Sequence, residues 1–267
     1  MKQVLNKYIV ALAVASISYT ASLQAAEEKP LPVFVFAGQS NMAGMRAKVE
    51  DLPETERGEI PGVSFFDGEK WVPLKPGANQ AKGFGPEISF ARKYSADIKE
   101  PIGIIKHSKG GSLLASHWSP TSQSFNLYKE LLAKVQKAGE TRPIKVVGVI
   151  WMQGESDGVN DKRAGLYPTN LVKLIEGFRT EFKNPDLTFV CGRVNPPLDK
   201  FPASPAVRKA QEECAASKYA WINLDDLPKG SDNLHYNTAG LVEMGKRFEE
   251  ATVKLQTATT QTQAQRP

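Results

Sequence analysis

The sequence predicts an α/β fold, a parallel β-sheet with helices on both faces. Three observations carry that reading. Short apolar runs rich in β-branched and aromatic residues recur along the chain, helix-period segments fall between them, and Gly, Pro or charged residues bound each run. The first run, residues 32–37 (PVFVFA), ends at Gly38, where polar and small residues begin a loop. Later runs at 102–106, 144–152, 187–191 and 220–224 bring the expected strand count to five. The helix-period segments are 86–98, 125–138, 167–182, 205–217 and 238–255. Strand and helix alternate, so crossovers should be right-handed and ligands should bind beyond the carboxyl ends of the strands. Residues 46–83 break the rhythm with Pro, Gly and an expected hairpin, 63–66 turning at Asp67-Gly68 into 70–74. Such an insertion either overhangs the site or is a plain surface excursion. Residues 256–267, rich in Thr and Gln, show no periodicity and are expected to be disordered.

With 267 residues, 41% of them apolar and 24% charged, the chain has material for one domain's core, expected at residues 30–255. Residues 1–25 read as a Sec-type leader, a signal peptide. Lys2 and Lys7 make a positive start, residues 8–17 are apolar but short for a bilayer, and Ala25 or Ala26 offers a cleavage point. Export to the periplasm or the medium is expected, with no stable membrane association after cleavage; an uncleaved anchor is the alternative. The formal net charge of +5 falls to about +3 without Lys2 and Lys7, too small and scattered for a nucleic-acid partner. Cys191 and Cys214, the only cysteines, either close a disulfide worth about 3 kcal/mol or stay as buried thiols. Neither has metal-type spacing, so no zinc site is expected. Oligomeric state is left open.

Ser40, in Gly38-Gln39-Ser40-Asn41-Met42, falls at the carboxyl end of the first strand, from which a hydroxyl can project into a ligand cleft. A serine nucleophile needs a base, and the chain has three histidines, His107, His117 and His235. His235 lies in Asp232-Asn233-Leu234-His235-Tyr236, just before the last helix. The i, i+3 spacing lets Asp232 hold Nδ1–H while Nε2 faces Ser40, which fixes the tautomer and stabilises an imidazolium. Taken alone, the same segment reads as a helix start capped by Asp232. His107, after the second strand, and His117, beside Trp118, lack an aspartate at short spacing and are weaker candidates for the base, or substrate contacts. A tetrahedral acyl-transfer intermediate also needs donors at its oxyanion. Lys109-Gly110-Gly111-Ser112 follows the second strand and Gln153 the third, so the loop's backbone and the Gln153 NH2 can converge there. Singly, the one is a common turn and the other a common capping amide. Ser40, Gly111, Gln153 and His235 all lie just past strand ends, a coincidence that points to one site.

The segments FAGQSNMAG (36–44), KGGSLLASHW (109–118), WMQGESDG (151–158) and DNLHYNTAG (232–240) resemble, in order and spacing, the successive blocks of the SGNH hydrolases. The likeness is to the branch of sialate O-acetylesterase-like proteins and family 6 acetylxylan esterases in particular, and spans about residues 32–250. It implies a three-layer α/β/α flavodoxin-like fold with a five-stranded parallel sheet in the order 2-1-3-4-5. It implies Ser40 as nucleophile, His235 as base and Asp232 as orienting acid, with the Ser40 and Gly111 amides and the Gln153 side chain as the oxyanion hole. Gln39, Asn41 and Glu155 would bind substrate or support the site. Other SGNH branches carry asparagine in the third block; Gln153 is typical of the acetylesterase branch, and Met42 departs from the Gly-x-Ser-x-Gly elbow of α/β-hydrolases. Glu155 stays open between an acceptor for loop amides, a contact to sugar hydroxyls and an alternative acid for His235. The implied activity is a serine esterase, without metal or organic cofactor, that removes acetyl groups from an acetylated carbohydrate, acetylxylan or O-acetyl sialic acid. The alternatives are an esterase or lipase for longer acyl chains and a carbohydrate-binding protein without chemistry. A lipase needs an extended apolar groove, and these loops are mostly small and polar apart from Phe84 and Trp118.

Overall fold

The computed structural model describes residues 29–78, 83–123 and 125–264; the leader expected at residues 1–25 lies outside them. In chain order the elements are β1 (Leu31–Gly38), α1 (Ser40–Ala43), β2 (Val63–Phe66), β3 (Trp71–Pro73), α2 (Glu87–Ile98), β4 (Ile102–Ser108), α3 (Leu114–His117), α4 (Leu127–Thr141), β5 (Ile144–Met152), α5 (Asp161–Glu181), β6 (Thr188–Gly192), α6 (Ser204–Glu212), β7 (Tyr219–Ile222) and α7 (Thr238–Ala264).

β1 is buried along nearly its whole length, as a central strand covered on both faces must be. It lies between β4 and β5, both parallel to it. The sheet has seven strands in the order β3-β2-β4-β1-β5-β6-β7, and it is mixed, because β3 folds back antiparallel on β2. This corrects the expected five-stranded parallel sheet. The hairpin of the insertion does not stand apart: Val63, Phe65 and Phe66 are buried, and β2 pairs in parallel with β4, which would otherwise present an open edge.

Helices α2 and α7 cover one face. Phe34 and Phe36 of β1 meet Phe90 edge-on at 5.0 and 5.1 Å, and Phe34 meets Tyr94 at 4.8 Å. Helices α4 and α5 cover the other, where Tyr128 stacks on Phe178 and the Trp151 indole N–H reaches the Tyr167 hydroxyl at 3.3 Å. Helix α5 begins at Asp161, ahead of the expected residue 167, because Asn160 caps it by accepting the Arg163 N–H. Pro168 sits inside that helix. Helix α7 continues through Ala264, into the Thr/Gln-rich stretch expected to be disordered, since extending a formed helix avoids the nucleation cost. Cys191 and Cys214 are free thiols, and burial pushes the Cys191 thiol up. Among the described residues no helix is long and apolar enough to cross a membrane.

Helices α2 and α7 cross at Gly245, where a Cβ would stand 2.1 Å from Ser89 Oγ and 2.2 Å from the Pro86 carbonyl oxygen. Gly245→Ala is therefore expected to push the helices apart at a cost of about 1–3 kcal/mol. Chemical denaturation checks this, and an unchanged midpoint would show that the crossing yields freely.

Candidate active site

The site begins where β1 runs out. At Gly38 (φ +151°) a Cβ would stand 2.0 Å from the Met152 carbonyl oxygen, so only glycine lets the chain turn this close to β5. The Gln39 N–H then donates to that same oxygen at 2.9 Å, and helix α1 starts at Ser40. A single turn of this kind is too short to register as helical periodicity, which is why it is not legible as a helix in the sequence.

Ser40 Oγ lies 2.9 Å from His235 Nε2, and His235 Nδ1 lies 2.9 Å from Asp232 Oδ2. The other Asp232 oxygen, Oδ1, accepts the main-chain N–H groups of Leu234 at 3.1 Å and His235 at 2.9 Å. The two sequence readings of this segment thus coincide. One oxygen closes the turn and the other orients the ring. Burial alone would raise the Asp232 carboxyl, but hydrogen bonds from the His235 main chain and ring, the Leu234 N–H and Arg46 hold it well below the usual carboxylate range. With Nδ1–H donated to Asp232, Nε2 offers its lone pair to the Ser40 hydroxyl, the arrangement that activates a serine. Arg46 completes the group, donating from Nε at 3.1 Å and Nη2 at 3.0 Å to Asp232 Oδ2. No motif spacing points to Arg46, which opens the irregular insertion.

Asn41 joins the two ends of the chain. Its Nδ2 donates to Glu155 Oε1 at 2.7 Å and to the Leu234 carbonyl at 3.3 Å, and its Oδ1 accepts the Tyr236 N–H at 3.1 Å. These contacts bracket His235. Glu155 is 1% exposed and takes Asn41 as its side-chain partner, so of its three readings the structure fits the acceptor role. Burial raises its carboxyl, with hydrogen bonds from its own N–H and from Asn41 opposing. Gln39 Oε1 accepts the Gly154 N–H at 3.4 Å, tying the first motif loop to the third.

Gly111 (φ +71°) faces open space where a side chain would stand, and a Cβ on its neighbour Gly110 would sit 3.7 Å from the Ser40 Cβ. The glycine loop therefore lies beside the hydroxyl. Gln153 does not present its amide there, which corrects the expected oxyanion role. The side chain is 0% exposed, and its Nε2 donates to the Ser112 carbonyl at 2.9 Å and to Asp157 Oδ2 at 2.5 Å, using both N–H groups. It braces the glycine loop from below instead. Asp157 also accepts the Leu114 N–H at 3.2 Å on either oxygen, and burial pushes its carboxyl up to about 6.

The other two histidines are engaged elsewhere. His107 Nε2 lies 3.2 Å from Glu130 Oε2, and burial lowers the pKa of its ring. His117 Nδ1 accepts the Leu113 N–H at 2.9 Å. His107 and Glu130 line a cavity of about 670 Å³ with Ala43, Lys109, Phe125 and Lys134, beside the turn that carries Ser40. Phe65, Asp67 and Gly68 of the insertion form part of its wall, so the insertion borders this cavity.

A hydroxyl, an imidazole and a carboxylate in line, at the carboxyl edge of an α/β sheet and within four motif blocks in order, define a carboxylic ester hydrolase of the SGNH class. The family model of the carbohydrate esterases described as sialic acid-specific acetylesterases matches residues 30–254, and the chain belongs to that family. It is 25% identical over 250 residues to a probable carbohydrate esterase of Arabidopsis thaliana, covering 84% of this chain and 92% of that one. The solved structure of an Arabidopsis thaliana protein superposes with a TM-score of 0.72 at 22% identity, over 85% of this chain and 99% of that chain. The crystal structure of NanS gives 0.67 at 18%, over 87% and 99%. A carbohydrate acetylesterase from Xanthomonas citri gives 0.64 at 21%, over 84% of this chain and 56% of the other.

Two outcomes follow from the floor of the site. Gln153→Ala is expected to lower stability by about 1–3 kcal/mol, because buried acceptors lose their donor. An oxyanion donor would instead show an on the order of 100-fold fall in turnover at an unchanged denaturation midpoint. Burial pushes the Asp157 carboxyl up to about 6, from 3.8 for an ordinary aspartate, so the native state holds the extra proton between those values. Stability at pH 4 is then lost as pH rises through 6, by on the order of 3 kcal/mol from this group. Comparing midpoint against pH for wild type and Asp157→Asn checks the sign: the variant should lack this part of the decline.

Proposed function

We propose that the chain removes O-acetyl groups from a glycan, O-acetylated sialic acid first among the candidates and acetylated xylan second, by two-step acyl transfer through Ser40. The observation that carries this reading is the unbroken line from Ser40 through His235 to Asp232. His235 Nε2 takes the hydroxyl proton as Ser40 Oγ bonds to the acetyl carbonyl carbon. The amides of Ser40 and Gly111 stabilise the oxyanion, and the imidazolium returns the proton to the sugar oxygen as the C–O bond breaks. Water then attacks the acetyl-serine with His235 again as base, and acetate leaves as Ser40 regains its proton. The family match supports the acetyl and carbohydrate parts of this reading. The cavity bordering helix α1 sets Asp67, His107, Lys109 and Glu130 among the apolar Phe65, Phe125 and Leu127, and this mixture of polar groups and aromatic faces supports a sugar over a long acyl chain.

Acetate release from O-acetylated sialic acid and from acetylated xylan tests the proposal, with Ser40→Ala as control. Turnover is expected to fall by on the order of 10⁴ or more in that variant, and p-nitrophenyl acetate should be preferred over the octanoate. Retained turnover in Ser40→Ala, or preference for octanoate, would overturn it. Export is inferred from residues 1–25 alone: mass spectrometry of the mature protein should find a start near Ala25 or Ala26, and a chain beginning at Met1 would count against it.

A further inference from the structure

Arg46 has no part in the reaction as written, yet it is bound to the group that orients the base. Both of its contacts fall on Asp232 Oδ2, the oxygen that receives His235 Nδ1–H. The segment that follows is strapped to the same region: the Lys48 N–H donates to Thr238 Oγ1 at 3.0 Å, and Thr238 Oγ1 donates to Asp51 Oδ2 at 3.1 Å. The histidine loop is therefore held from inside by Asn41 and from outside by the start of the insertion. We propose that Arg46 is a positioning residue for the esterase reaction, fixing Asp232 from the solvent side and sharing its inner oxygen with His235, so that it limits how strongly Asp232 stabilises the imidazolium.

The inference rests on the reading of Ser40, His235 and Asp232 as the reacting line. Its physical content is a division of charge. A guanidinium about 3 Å from a carboxylate offsets part of the negative charge that would otherwise act on the ring. Glu155, held by Asn41, is coupled electrostatically to both His235 and Lys229. Glu155 and Lys229 remain in place in an Arg46 variant, so a change in titration would report on Arg46 itself. The fork geometry adds direction, since a lysine can supply the charge but not two converging N–H groups.

The test is the pH profile of kcat/KM on p-nitrophenyl acetate at low ionic strength, for wild type, Arg46→Met, Arg46→Gln and Arg46→Lys. In Arg46→Met the acidic limb should move up by about one pH unit, and plateau kcat should fall about tenfold from lost orientation. Arg46→Lys should restore the limb while leaving part of the plateau loss. Arg46→Gln replaces Arg46→Met if that variant does not fold. A purely structural role would lower kcat or the melting midpoint in both neutral variants and leave the limb in place. An acidic limb that stays put, or moves down, in a folded neutral variant overturns the proposal. Residual full activity in Ser40→Ala would instead overturn the reading on which it rests, and the two failures are distinguishable in one experiment.

Discussion

The approach of Ser40 to His235, 2.9 Å across a sequence separation of 195, depends on the side-chain amide of Asn41. The site asks for two N–H donors and one acceptor oxygen, the set a side-chain amide carries. Its NH2 serves the Glu155 carboxylate and the Leu234 carbonyl while its oxygen takes the Tyr236 N–H. An aspartate would set two carboxylates against each other, and a leucine would strand all three partners in a buried site. Polar groups satisfied in this way fix a single arrangement, because any slippage of the histidine loop leaves buried atoms unpaired. Glu155 is therefore buried for the sake of Asn41, and Asn41 for the sake of the two peptide groups that bracket His235.

The sheet supplies the other half of the geometry. Gly38 at the end of β1 is paired with Ser108 of β4 and with Met152 of β5, so the three strands finish level. The loops that leave them carry Ser40, Gly110-Gly111 and Gln153, and a common starting line puts all three within a few residues' reach of one point. Hydrogen bonds between loops then lock the set: Gln39 to Gly154, Gln153 to Ser112 and Asp157 to Leu114. None of these bonds joins neighbours in sequence. Each becomes available only because the register of the strands has already been set.

That distinction explains what was legible in the sequence. The buried parallel strands show as continuous apolar runs, and Asp232 and His235 sit three residues apart, so both could be read from local pattern. The place of Ser40 followed from the strand preceding it. What escaped was set by partners remote in the chain. The hairpin was visible as a hairpin, but that β2 would extend the sheet depends on the free edge of β4. Gln153 carries the right chemistry for an oxyanion donor, yet two buried acceptors from neighbouring turns take its N–H groups. Arg46 sits in an irregular stretch whose contacts reach 186 positions away.

The buried ion pair beneath the Ser40 turn follows from the same economy of partners. Lys106 and Glu87 are both almost fully buried and meet at 2.7 Å, an arrangement whose desolvation cost an apolar pair would avoid. But α1 is a single turn, and its last carbonyls cannot be satisfied within it. Lys106 Nζ reaches the Ala43 carbonyl at 3.3 Å, while Glu87 Oε1 accepts the Gly85 N–H at 3.0 Å. Burial pulls the Lys106 ammonium pKa down, and Glu87 opposes that shift, which keeps a donor where the turn needs one. A hydrophobic substitute would pack as well but leave the Ala43 carbonyl without this partner, in the turn that carries Ser40. The charge pair is thus better understood as a cap for a helix too short to cap itself than as a source of stability.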